Sequence, residues 1–398
     1  MSRSKKKNKA APAAPDALRI LQLNTLLNGG GTDDQCLKLA LGLSQLRQKV
    51  WLAGPGDRAL TPRLAELNIP QHLTPPEGWL KLRFIFDCAR FIREQRVQLV
   101  HGHHGRDYWP TILAARLSRV NPKIVLSRHL ASSPKSFVSR ALLLGRVDAL
   151  VAVSKFVAQV LSEGHADPAS PDVERHHRQR IKGDLSKIQV IHGGIDTNRF
   201  KPLAPRPLRQ SWGLAEGDFA FGVVGSYDLP RGKGQREFLQ AAARIKNRRP
   251  HARFLIIGRG TMAAVLMDDV RRLGLEGRAL LTPYATDMPA VMNALDCLVH
   301  PAIGTEALGL VVCEAHACGR PVIASALDGI PEAFAVGSLG RLIAPEKVEE
   351  LAVAMDGQIH SPRLNEAERE RIHQRVEERF SLEVSARNHL ALYRKLVG

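Results

Sequence analysis

The stretch 304–325, GTEALGLVVCEAHACGRPVIAS, places Glu306 in a short loop and Glu314, eight residues later, inside a helical pattern that Gly319 and Pro321 bring to an end. Leu310, Glu314 and Cys318 recur at four-residue spacing, so Glu314 shares a helix face with apolar neighbours, where a carboxylate needs a partner. An internal salt bridge or a cap would supply one. So would a ligand. Gly309 and Leu310 open the helix, and its unpaired N–H groups, with the positive end of the dipole, form a ready anion site. A phosphate at that tip leaves ribose hydroxyls within reach of Glu314 and sets Glu306 on the other side, beside whatever the far phosphate carries. The pattern suits a nucleotide diphospho-sugar.

Such a site belongs at the C-terminal edge of a parallel sheet, and the chain supplies the strands. Short apolar runs fall at 18–23, 50–53, 97–100, 124–126, 149–153 and 188–191, with a glycine cluster at 29–31 and a helical pattern at 36–46. The pattern restarts at 219–224 and continues at 253–257, 279–281, 297–299 and 321–324, with helical stretches at 237–246 and 288–295. The fold class is therefore α/β, with two doubly wound, Rossmann-like domains. We expect a disordered basic arm over 1–16, an N-terminal domain over 17–200 and a linker over 201–209, where Pro202, Pro205 and Pro207 discourage regular structure. The C-terminal domain follows over 210–398, its last helix packing back on the first domain. The polar segment 163–187 reads as a surface insertion. Its adjacent His176 and His177 diverge and lack a Cys or carboxylate at ligand spacing, so no metal is expected there.

Composition narrows the function classes. A chain of 398 residues with 44% hydrophobic side chains is too long for one small binding module and too apolar for disorder. A net charge of +18 predicts anionic partners. Nucleic acid is the partner from another class, but 5% aromatic residues and no recognition motif argue against it. The most apolar stretch, 141–153, is interrupted by Arg146 and Asp148, so no membrane span is expected. Five scattered cysteines, without CxxC pairs or a secretion signal, read as free thiols in a cytoplasmic protein.

The Glu, seven residues, Glu spacing in a segment ending ACGRPVIAS resembles the signature of the retaining glycosyltransferases of family 4, group 1 type, which have the GT-B fold of two Rossmann-like domains facing across a cleft. Other stretches match in order: RILQLNTLLNGGGTDDQCLKLALGL, KIQVIHGGIDTNRFKP, FGVVGSYDLPRGKG and IPEAF. The resemblance implies Glu314 as the ribose ligand, Glu306 as a contact to the transferred sugar, and Lys233 as a counter-charge for the diphosphate, near Gly225. It implies that His129, in VLSRHL, faces the donor sugar from the first domain. Two departures stand out. Gly225-Ser226 replaces the family's Gly-Arg, removing one diphosphate cation that Arg231 is placed to replace, and Glu306-Ala307-Leu308-Gly309 replaces Glu-Gly-Phe-Gly.

The implied reaction moves a sugar from a nucleotide diphospho-sugar to a glycan or glycolipid with retention, by front-face attack and without a required metal or other cofactor. Asp33-Asp34 follows the glycine loop and reads as the acidic first turn of a helix, not as a metal-binding DxD. Gly30 and Gly31 would let an acceptor approach the backbone of the first domain. The positive balance fits an anionic acceptor such as lipopolysaccharide core, and the basic arm fits peripheral contact with an anionic membrane, at about 1 kcal/mol per basic residue near the surface. A sugar-nucleotide epimerase or hydrolase of the same fold and an inactive member of the family are the nearer alternatives.

Overall fold

In the computed structural model, which describes residues 17–27, 30–54, 71–72, 81–164, 179–204, 206–228, 232–282 and 287–398, the apolar runs become two separate parallel sheets. The first contains β1 (Arg19–Leu23), β2 (Lys49–Ala53), β3 (Gln71–His72), β4 (Leu99–Gly102), β5 (Lys123–Arg128), β6 (Ala149–Ala152) and β7 (Ile188–Val190) in the order β3-β2-β1-β4-β5-β6-β7. The second contains β8 (Phe219–Val224), β9 (Ala252–Ile257), β10 (Ala279–Thr282), β11 (Cys297–His300), β12 (Val322–Ser325) and β13 (Gly340–Ile343) in the order β10-β9-β8-β11-β12-β13. Each order turns back beside its first strand, between β1 and β4 and between β8 and β11. In open α/β sheets that switch point opens the crevice where ligands bind.

The inner strands of each sheet are buried on both faces because helices cover them, which is why they read as apolar runs without alternation. Phe221, Phe238, Phe254 and Leu266 pack on one side of the second sheet, while Leu255, Leu298, Val312 and Ile330 pack on the other. In the first unit Ile20, Leu37, Leu43 and Val125 form a core that also takes in Ala386, Leu390 and Tyr393 from the last helix, Leu382–Val397.

The described residues divide into two compact units, the first drawn from those up to Val153, within Ala158–Gly194 and in Ser385–Gly398, the second from those in Ser154–Val157 and Ile195–Val384. The boundary falls at Gly194 and Ile195 rather than within the proline-rich stretch 201–209, because Ile195 and Phe200 are already buried in the second core. That stretch also holds a short helix, Arg206–Ser211, contrary to the expectation of irregular backbone. Pro207 sits in its first turn, where a missing N–H removes no helical bond.

All five cysteines are buried free thiols. Burial pushes the Cys36, Cys88, Cys297 and Cys313 thiols up and takes Cys318 to about 12. Among the described residues no helix is long and apolar enough to cross a membrane. The basic arm 1–16, Arg231 and the histidine pair 176–177 lie outside the described residues.

Candidate active site

In the second unit the C-terminal ends of β8 and β11 bring Gly225 and His300 to the switch point. The loop after β8 returns over this edge through Lys233 and Gly234. A Cβ at Gly234 would lie 1.9 Å from the Pro301 carbonyl oxygen, and φ there is +86°, so only glycine lets the loop press so closely on the strand end. Gln235 fixes the loop further, its side chain accepting from the Lys233 N–H at 2.7 Å and donating to the Ser226 carbonyl at 3.2 Å.

This folding sets Lys233 Nζ 2.8 Å from Glu306 Oε2. The Glu306 backbone is tied on both sides, its N–H donating to Asp328 Oδ2 at 3.0 Å and its carbonyl accepting from Gly329 N at 3.1 Å. Burial raises the pKa of Glu306, but the nearby His300 ring and the Lys233 ammonium outweigh it and hold the carboxyl at about 2. His300 Nε2 stands 3.7 Å from the carboxylate, beyond hydrogen-bond reach, and among the described residues neither ring nitrogen of this buried histidine has a hydrogen-bond partner. An unpaired buried imidazole is costly in a folded core. Its position at the end of β11, beside a carboxylate and an ammonium, makes it a candidate site residue that sequence reasoning missed. A lone histidine after a strand carries no pattern. Its only signal is the six-residue spacing to Glu306.

Gly309 caps the helix Leu310–Ala317 with φ +83°, turning the chain so that the helix begins beside the Glu306 loop. Its tip is at the same sheet edge as Lys233, and Glu314 is half-buried one turn further in, as the four-residue spacing with Leu310 and Cys318 predicts. The second unit thus collects Gly225, Lys233, Glu306, Gly309, Leu310 and Glu314.

In the first unit the strand ends at the switch point carry a hydrogen-bonded polar network. Gly30 caps the helix Gly31–Gln45 in an extended conformation, and Asp33 and Asp34 fall in its first turn. Asp33 Oδ1 accepts from Asn24 Nδ2 at 3.0 Å and meets His104 Nε2 at 2.7 Å. Asp107 accepts from the Thr25 hydroxyl and backbone. His129, after β5, lies with its Nε2 3.4 Å from His103 Nδ1. Burial, then the neighbouring His104 and His389, hold the His129 pKa at about 3, so its ring is neutral at pH 7 and serves as a hydrogen-bonding group. A Cβ at Gly30 or Gly31 would meet nothing within 4 Å, so packing within the described residues leaves that backbone open to an approaching group. His101, His103 and His104 were not singled out in the sequence, although three histidines in four positions at a strand end were visible there. Among the described residues no group of three or more His, Cys, Asp or Glu is arranged to hold a metal ion.

The geometry agrees with similarity to known proteins. The family described as Glycosyltransferase Family 4 matches residues 29–199, and that described as Glycosyl transferases group 1 matches residues 218–360. D-inositol 3-phosphate glycosyltransferases of Mycobacterium bovis and Mycobacterium tuberculosis are 31% identical over 252 residues, which cover 60% of this chain and 50% of theirs. The chain spans about half the length of the curated relatives it matches. Anabaena HepE, solved in complex with UDP and glucose, is 21% identical with a TM-score of 0.77, covering 95% of this chain and 100% of that one. A glycosyltransferase from Rickettsia africae, also 21% identical, superimposes with a TM-score of 0.80 over 96% of this chain and 99% of that one. At these identities the two structures establish likeness of fold.

Proposed function

Because the chain belongs to the group 1 glycosyltransferases of family 4, with the GT-B pairing of two Rossmann-like domains, we propose that it transfers a sugar from a nucleotide diphospho-sugar to a glycan or glycolipid with retention of configuration. The observation that carries this reading is the Lys233–Glu306 pair beside His300, set at the same sheet edge as the helix tip at Gly309.

In this reading Glu314 holds the ribose hydroxyls, the helix N-terminus and Lys233 hold the diphosphate, and Glu306 faces the sugar. Preorganised positive charge at the departing phosphate is the main source of rate. Arg231, outside the described residues, is the second cation proposed there, and the scheme assigns no step to a metal. The bond between the anomeric carbon and the phosphate oxygen breaks as the acceptor oxygen bonds to the same face of that carbon. The acceptor proton passes to the departing phosphate. His129 in the first unit, neutral at pH 7, is the proposed hydrogen-bonding partner of the sugar, and the open backbone at Gly30 and Gly31 receives the acceptor.

An anionic acceptor fits the net charge of +18 and the curated relatives, whose name contains D-inositol 3-phosphate. Lipopolysaccharide core is the proposed acceptor class, with arm-mediated contact to an anionic membrane. Thermal shift of the purified protein against UDP, GDP and ADP sugars tests the donor, since a ligand bound only by the folded state raises apparent stability. Glu314→Ala should weaken the responding nucleotide by about tenfold or more, the loss of hydrogen bonds to a charged group. Unchanged affinity in a folded variant removes Glu314 from the donor site. Proton NMR of the product then reads the anomeric configuration, and an inverted product overturns the mechanism. Sugar-nucleotide turnover with no acceptor present would favour an epimerase or hydrolase instead.

A further inference from the structure

The second sheet has another edge. The strand starts at Phe219, Asp296, Pro321 and Gly340 line a cavity of about 940 Å³, on the opposite edge of the sheet from Gly225 and His300. Arginines from separate elements converge on it: Arg209 from the helix Arg206–Ser211, Arg320 just before β12, Arg363 from the connection 361–365, and Arg369 from the helix Glu366–Phe380.

These cations are unequally neutralised. Arg209 donates to Asp296 Oδ2 at 2.8 Å and to the carbonyls of Ala294 and Asp218. Arg320 has the Asn293 carbonyl at 2.7 Å, and Arg369 has the Cys318 carbonyl at 3.2 Å and Asn293 Oδ1 at 3.3 Å. Both hold neutral oxygens, and among the described residues the buried Nε of each has no hydrogen-bond partner. Burial, then the charge of Arg369, brings Arg320 down to about 10. Asp296 lies near enough to Arg320, and Glu366 to Arg369, to act against this, although the acids on the wall have other partners or face solvent. Asp296 serves Arg209 and the Ala220 N–H, Glu368 accepts from Asn365 N at 2.8 Å, and Glu216 is exposed. Arg369 is fixed by contact as well, because a Cβ at Gly319 would fall 2.7 Å from the Arg369 Cβ.

Folding that draws two guanidiniums together over backbone carbonyls, with donors left unmatched, leaves a local excess of positive charge at a cavity large enough for a small metabolite. We propose that this cavity is a second anion site, separate from the donor site, which takes a phosphorylated small molecule with its phosphate against Arg320 and Arg369. Leu214, Phe219 and Pro321 line the same cavity and would receive the uncharged remainder. Planar guanidiniums are the usual partners of a phosphate where bidentate recognition is needed. The site stands whether or not the transferase reading holds.

Thermal shift and isothermal titration of the full chain, with inorganic phosphate, a hexose 6-phosphate and the unphosphorylated hexose as probes, test it. Saturable binding of a phosphorylated probe and none of the free hexose is expected. Arg369→Met and Arg320→Met should each weaken binding by about tenfold or more, while Lys233→Ala leaves it intact. Tighter binding of the hexose phosphate assigns the site to metabolites and equal binding assigns it to the free ion; either upholds it. Because Arg320 and Arg369 brace helix ends, Arg363→Ser, on an exposed connection, gives a variant expected to fold and to bind more weakly. Absence of saturable phosphate binding in the wild-type chain overturns the proposal. So does undiminished binding in every folded arginine variant, or loss of binding in Lys233→Ala.

Discussion

Lys233 and Glu306 are each half of an ion pair, and that pairing sets what their removal should do. Lys233→Met removes the cation that helps hold Glu306 near a pKa of 2 and withdraws charge from a departing phosphate. Turnover should fall by on the order of a hundredfold, beyond any loss of donor affinity, because the leaving-group charge grows only in the transition state. Steady-state kinetics with the matched donor separates the two, and a change confined to KM would remove Lys233 from leaving-group stabilisation. At this scale the residues in linear motifs were readable. Glu306, Glu314 and Gly309 fall within one 22-residue stretch, and Lys233 falls in a glycine-flanked loop. His300 was not readable, since its meaning lies in its burial beside Glu306 without a hydrogen bond among the described residues, which no spacing reveals. The arginine cavity escaped for a related reason: its members span 209 to 369 and meet only after the sheet has formed.

The elements carry these residues by a small number of close approaches. Gly234 is the tightest of those at the proposed donor site, and Gly234→Ala would drive a Cβ into the Pro301 carbonyl from a left-handed backbone. Strain and overpacking together should cost on the order of 3 kcal/mol, with the Lys233–Glu306 pair disrupted. Urea denaturation reads the stability, and a midpoint equal to wild type would show that the loop relaxes freely. The central strands were legible because both faces are covered, so apolar runs alone located β1, β6 and β8, most of β9 and half of β5. The short β3 and the edge strand β13 were not. β3 has only two residues, and β13, half exposed along Gly340–Ile343, lacks the apolar run that marks a central strand. Proline content misled at 201–209, where the count of prolines mattered less than their place relative to a helix start.

For the molecule as a whole, buried imidazoles predict the acid response. Burial holds His129 at about 3 and His389 and His316 at about 4, with His101 and His103 also well below the ordinary value near 6.5. The unfolded chain therefore takes up protons first. Stability is full above about pH 6.5 and falls as pH drops toward 4, by about 1.4 kcal/mol per pH unit for each imidazole that stays neutral in the folded state. The Glu306 carboxylate adds a further loss only below about pH 4.5, on the way to its folded value near 2. Urea midpoints between pH 7 and pH 5 check this, and His389→Gln should flatten the slope. A flat profile in the wild-type chain would mean that these rings gain protons without unfolding.

Tyr393 lies in the core of the first unit with its hydroxyl 2.6 Å from His101 Nδ1, although nearly two hundred residues of the second unit intervene in the chain. During synthesis, then, 195–384 emerges with almost all of its own core, whereas the part made first must wait, unfinished, for 385–398. The ribosome would release the two units in reverse order of completion. A stop codon just before Ser385 should leave a finished second unit joined to a first that stays open to proteases.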